Sequence, residues 1–172
     1  GRRFCPYVVR LHMHAGSSRV RLFHTFVFDQ DPERVELSGI GFFLPLKLGD
    51  GPEVAFGGEE EVHWARTWKR GELLQGSDRE YRVSLDGETY RQGNRSPGWV
   101  SLNGSAASAA VVLRDCWREY PKGIGVDRRG DVDLQLWPSA CGETLRFETE
   151  WKEEVIRAKY VDELLEKLRD KP

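Results

Sequence analysis

The chain has 172 residues, 26 of them Lys or Arg and 28 Asp or Glu, giving a formal charge of −2. That length suits one domain of ordinary size, able to bury about two thirds of the surface its unfolded chain exposes. The balanced charge, with no Lys/Arg-rich block, argues against a nucleic-acid partner, and no stretch approaches the roughly 18 apolar residues that span a bilayer.

The first element predicted is a β-hairpin. Tyr7, Val9, Leu11 and Met13 alternate with Val8, Arg10, His12 and His14, and Val20, Leu22, His24, Phe26 and Phe28 alternate with Arg19, Arg21, Phe23, Thr25 and Val27. Period two marks a half-buried strand, and the intervening Ala-Gly-Ser-Ser at 15–18 is turn chemistry. Asp29-Gln-Asp-Pro32 reads as a second turn. A long strand over 35–46 follows, with Gly39 and Gly41 marking a bulge or a close backbone approach. Further strands are expected at 53–57, 61–68, 80–85, 88–92, 98–102, 107–117, 124–127, 131–137 and 144–151. Asp86-Gly87 supplies the positive φ angles of a type I′ hairpin turn, and Arg91 to Gly98 reads as an exposed loop. From Glu153 to Asp170 the period changes. Ile156, Tyr160, Leu164 and Leu168, with Val161 and Leu165 beside them, recur at helical spacing among charged residues, which predicts one amphipathic helix with acids near its start and Lys167, Arg169 and Lys171 near its end.

The pattern therefore predicts an all-β fold, an antiparallel β-sandwich over 1–152, with a C-terminal α-helix at 153–172 that caps the sheet or begins a following helical domain. Gly rather than Met at position 1 suggests a piece of a longer chain, so localisation is weakly constrained. Cys5, Cys116 and Cys141 share no metal-ligand spacing, and their odd number leans toward a reducing, cytoplasmic compartment.

Three constellations carry candidate chemistry. Arg10, His12, His14, Arg19 and Arg21 gather on one face of the hairpin, where guanidinium forks suit carboxylates and histidines can move protons near neutral pH. The solvated face of any antiparallel sheet produces the same alternation. His12 and His14 also have the spacing of a cupin-type metal pair, with His24 or His63 as a third ligand, but the arginines repel a cation and His24 falls on the apolar face, so no metal is expected. The second constellation is Val111 to Gly123. As a strand it would put Arg114, Arg118 and Tyr120 on one side and Asp115, Trp117 and Glu119 on the other. Trp117 would offer a stacking surface, Arg118 or Lys122 would neutralise a uronate, and Tyr120 would act as acid or base. A charged sheet edge is the plain alternative. The third is His63 to Trp68, where Trp64 and Trp68 flank Arg66 as a cation–π stack or as ordinary packing.

The stretches VVRLHMHAGSSRVRLFHTFVFDQDP and VVLRDCWREYPKGIGVDRRGDVDLQLWP, with their His24-Thr25-Phe26, Pro121-Lys122-Gly123 and Trp137-Pro138 elements, resemble the exo-rhamnogalacturonan lyase (YetA-like) polysaccharide lyases, in their central β-sandwich domain. The resemblance covers residues 5–50 and 107–150 and leaves 50–105 unmatched. It implies a supersandwich-like fold and metal-independent β-elimination at galacturonate, with no cofactor. It also implies an acidic polysaccharide and the neighbouring domains of a longer chain as partners. In that reading Arg10, Arg19, Arg21, Arg114, Trp117, Arg118 and Lys122 bind substrate, and His12, His14 and Tyr120 transfer protons. A non-catalytic carbohydrate-binding or scaffold domain and a cupin-like metal protein are the alternatives.

Overall fold

A computed structural model describes residues 5–147. They are all-β, without an α-helix among them, and fall into two compact units, one of residues 37–145 and one of residues 5–36 with 146–147. The predicted helix at 153–172 lies outside the described residues, as does the end of the strand expected at 144–151.

In the smaller unit, β1 (Tyr7–Met13) pairs antiparallel with β2 (Val20–Phe26), His12 opposite Arg21 and Leu11 opposite Leu22. Residues directly opposite in such a ladder share a face. One side of the hairpin therefore carries Val8, Arg10, His12, Arg21, Phe23 and Thr25, and the other carries the apolar residues. His24 stands on the apolar side with its ring between those of Tyr7 and Phe26, at 5.8 and 5.9 Å. The Asp29 carboxylate accepts the Cys5 amide across the hairpin's open end.

The larger unit is a sandwich. Its six-stranded sheet runs β3 (Ile40–Leu44), β12 (Val132–Trp137), β11 (Lys122–Asp127), β6 (Arg70–Ser77), β7 (Glu80–Leu85), β8 (Glu88–Gly93), and its four-stranded sheet runs β10 (Ser108–Val112), β9 (Trp99–Asn103), β4 (Glu53–Gly57), β5 (Val62–Ala65). All neighbours are antiparallel. Alternate residues of both sheets meet in one core: Val54, Phe56, Val100 and Leu102 from one side, Leu73, Val83, Ile124, Val126 and Val132 from the other, with Trp68 filling the space between. Burying each such side chain contributes about 1.5–3 kcal/mol. At Gly71 the sheets are close enough that an added Cβ would stand 2.7 Å from Cζ of Phe56.

Most of the predicted strands are present, 53–57 and 80–85 with the bounds expected. The Asp86-Gly87 turn has φ of 53° and 91°, as its sequence requires, and the side-chain-free approach expected at Gly41 is real, since a Cβ there would lie 2.5 Å from the Leu134 carbonyl. Some expectations fail, among them the long strand over 35–46, which is confined to Ile40–Leu44. β6, a central strand, was not predicted. The strand expected over 107–117 stops at Val112, because residues 114–118 turn with Asp115 at φ 52° and its carbonyl accepting the amides of Arg118 and Glu119. The loop expected over 91–98 begins only after Gly93, where β8 ends; Asn94, Arg95 and Pro97 are exposed as expected, while Ser96 is fully buried and anchors it.

Candidate functional site

The hairpin gathers part of the basic face foreseen for it. Arg10, His12 and Arg21 share one side and all are exposed, and the His12 ring lies 4.8 Å from that of Phe23. His14 and Arg19 lie beyond the ladder in the connection, where the Ser17 amide bonds to the His14 carbonyl and the Ser17 hydroxyl accepts the Arg19 amide. Among the described residues, no three His, Cys, Asp or Glu side chains converge as a metal site.

The turn after β10 builds the stronger constellation. Because 114–118 coil instead of extending, Arg114 and Arg118 do not alternate with Asp115 but both close on its carboxylate, at 3.1 and 3.6 Å. Trp117 is half-buried, and its indole carries two guanidinium groups, that of Arg118 at 5.0 Å and that of Arg95 at 4.4 Å from the ring centroid. Such stacking contributes about 0.5–1 kcal/mol at an exposed site and holds the planar fork in one orientation. Arg95 also donates through Nε to the Asp78 carbonyl at 3.2 Å, and among the described residues no carboxylate pairs with it. Its guanidinium is thus positioned, cationic and available to an anion. Trp117 accordingly differs from the open sugar-stacking surface expected of it: it serves as the platform on which two arginines lie.

The neighbours are less free. Lys122 is largely buried, donates to the Leu136 carbonyl at 3.3 Å and faces Glu119 at 3.9 Å. Tyr120 is exposed at the cis peptide bond that leads into buried Pro121. Tyr120 belongs to the sandwich unit, while His12 and His14 belong to the hairpin unit.

The third constellation is rearranged. β5 ends at Ala65, so the alternation from 63 to 68 breaks: Trp68 turns into the core, Trp64 stays exposed, and Arg66 pairs with Glu53 at 3.1 Å instead of stacking between the two indoles. His63 is buried, with Nε2 3.0 Å from the Tyr81 hydroxyl and Nδ1 3.7 Å from Glu61. The His63 ring and the Tyr81 hydroxyl share one hydrogen bond, whose donor follows from the imidazole tautomer. Burial pushes the His63 pKa down and that of Tyr81 up, keeping both neutral. Beside this pair, Gln75 donates to the carbonyls of Ser77 and Asn94 and accepts the Ser96 amide, while the Ser96 hydroxyl donates to the Gly57 carbonyl. Nearly every polar atom here has a partner, and neither His63 nor Tyr81 reaches solvent, which makes the cluster a structural network.

Sequence reasoning missed Arg95. Its partner Trp117 is remote in sequence, and the motif Asn-Arg-Ser-Pro-Gly announces a loop, not where that loop will lie.

The model of the family described as PcRGLX-like protein central beta sandwich domain matches residues 1–70. The match runs through the hairpin and β3 to β5 and ends on the first residue of β6. No curated protein matches the chain significantly.

Proposed function

We propose that this chain is the β-sandwich portion of a rhamnogalacturonan-lyase-like protein and that it holds an acidic glycan through Arg95 and Arg118, with Trp117 as their support. The observation that carries this reading is the stacked Arg95 guanidinium, oriented by the indole and the Asp78 carbonyl and lacking a carboxylate among the described residues. A uronate carboxylate accepts two parallel N–H bonds from such a fork. The match to the PcRGLX-like central sandwich over residues 1–70 supports the family, and the all-β antiparallel architecture fits it.

In a lyase of this kind the bound carboxylate is neutralised. A base then removes the proton at C5, the C5 electron pair forms the C4–C5 double bond, and the C4–O bond breaks, its oxygen taking a proton from an acid. Tyr120 is the exposed proton-transfer candidate just after the turn that carries Trp117, and His12 and His14 are candidates on the hairpin. A second reading, a binding or scaffold domain without catalysis, is favoured by the distribution of these three side chains over two separate units.

Calorimetric titration separates these readings. The protein is expected to bind oligogalacturonate and rhamnogalacturonan fragments but not neutral galactan, and Arg95→Ala with Arg118→Ala is expected to weaken binding at least tenfold. Equal binding by the variant, or by neutral galactan, would sink the arginine site. Ultraviolet absorbance from an unsaturated uronate, in the presence of chelator and abolished by Tyr120→Phe, would mark the lyase; binding without that product would mark the scaffold.

A further inference from the structure

The hairpin has an apolar side that its own residues do not cover. Along it Tyr7 is 69% exposed, Leu11 53%, Met13 66% and Val20 54%. Two strands alone cannot bury such a side, and an isolated hairpin is at best marginally stable in water. We propose that this side is a docking surface for residues 153–170 of the same chain, a segment outside the described residues.

Three observations select that occupant. First, the chain already arrives there. Phe147, the last described residue, stacks on Phe28 at 4.2 Å and meets Phe26 edge-on at 6.1 Å, and Phe26 stands on the apolar side of β2. Arg146 fixes the approach through a 2.8 Å ion pair with Glu36. Second, the sequence that follows carries a complementary stripe, Ile156, Tyr160, Leu164 and Leu168 at helical spacing, with charged residues elsewhere. Third, the dimensions agree. As a helix, Ile156 to Leu168 would be about 18 Å long, and a seven-residue strand spans about 20 Å. The inference does not depend on the glycan reading.

Hydrogen exchange on the full 172-residue chain tests it. In the wild type the amides of β1 and β2 are expected to be protected. Leu164→Glu with Leu168→Glu should speed their exchange at least tenfold and raise the fluorescence of an apolar dye, while the amides of β4, β6 and β11 exchange as before, showing that the sandwich is still folded. Lys159→Glu, opposite the apolar stripe at helical spacing, should change neither readout. The reciprocal variant Leu11→Glu should speed exchange within 153–170. Unchanged hairpin exchange in the double variant would overturn the proposal. So would hairpin protection that disappears on dilution together with dissociation in sedimentation, because the occupant would then be a second copy of the chain.

Discussion

At the scale of single residues, the buried titratable groups are set for stability and not for chemistry. Desolvation holds the His63 pKa below its ordinary value of 6.5, with the Glu61 carboxylate opposing the shift. The unfolded chain therefore binds a proton at His63 as the pH falls through about 6.5, while the folded chain does not, and stability declines with falling pH over that range. Urea midpoints at pH 5 and pH 8 should show the wild type weaker at pH 5, and His63→Gln should shrink the difference; parallel midpoints in both proteins would refute the assignment. Cys116 is the second case. Its thiol is packed in the core and pushed up to about 11 by burial, Lys122 opposing weakly. Since the thiolate is the nucleophile, an alkylating reagent at pH 7.5 should label Cys5 and Cys141 well before Cys116 in the native protein. Equal labelling of all three, read by mass spectrometry, would show that the turn opens readily.

At the scale of elements, legibility followed alternation. β7 was readable to the residue because Tyr81, Val83 and Leu85 stand at every second position, β4 because the short apolar run Val54-Ala55-Phe56 is bounded by turn residues, and the Asp86-Gly87 turn because a left-handed pair closes such a hairpin. β6 was not. Its sequence, Arg-Gly-Glu-Leu-Leu-Gln-Gly-Ser, has a glycine one residue in from each end and offers two adjacent leucines, so it imitates a loop. The glycine at 71 is there for packing: it lets Phe56 of the opposite sheet reach the β6 backbone, and Leu73 beside it is fully buried. Gly71→Ala should cost about 1–3 kcal/mol by overpacking, and Leu73→Ala about 2–5 kcal/mol by leaving a cavity. Chemical denaturation measures both, and a neutral Gly71→Ala would mean the sheets can separate slightly at no cost. The candidate site was half legible for the same reason. Arg114, Trp117 and Arg118 were visible as a charged aromatic stretch, but a strand was assumed where Asp115 turns the chain. Arg95 was brought in by tertiary structure alone.

At the scale of the whole chain, the two units differ in what they can sustain alone. The sandwich unit closes on itself: Leu37 and Leu145 exchange backbone hydrogen bonds at 3.1 and 2.8 Å, so its two ends meet as a β-bridge. Between those ends lie both sheets and every residue of the common core. A fragment of residues 37–145 should consequently fold, and unfold in one cooperative transition, with a dispersed amide spectrum. It should also retain the Arg95 and Arg118 stack on Trp117, since Asp78, Asp115 and the turn after β10 all come with it. The hairpin lacks these advantages, because a two-stranded sheet with an uncovered apolar side has no core of its own, and residues 5–36 made alone should give the spectrum of an unfolded peptide. If 37–145 instead proved unfolded while the full chain folded, the sandwich would need the smaller unit to form. If both conditions hold as expected, glycan binding by the fragment alone would locate the anion site on the sandwich, and its loss would move that site to the arginines of the hairpin.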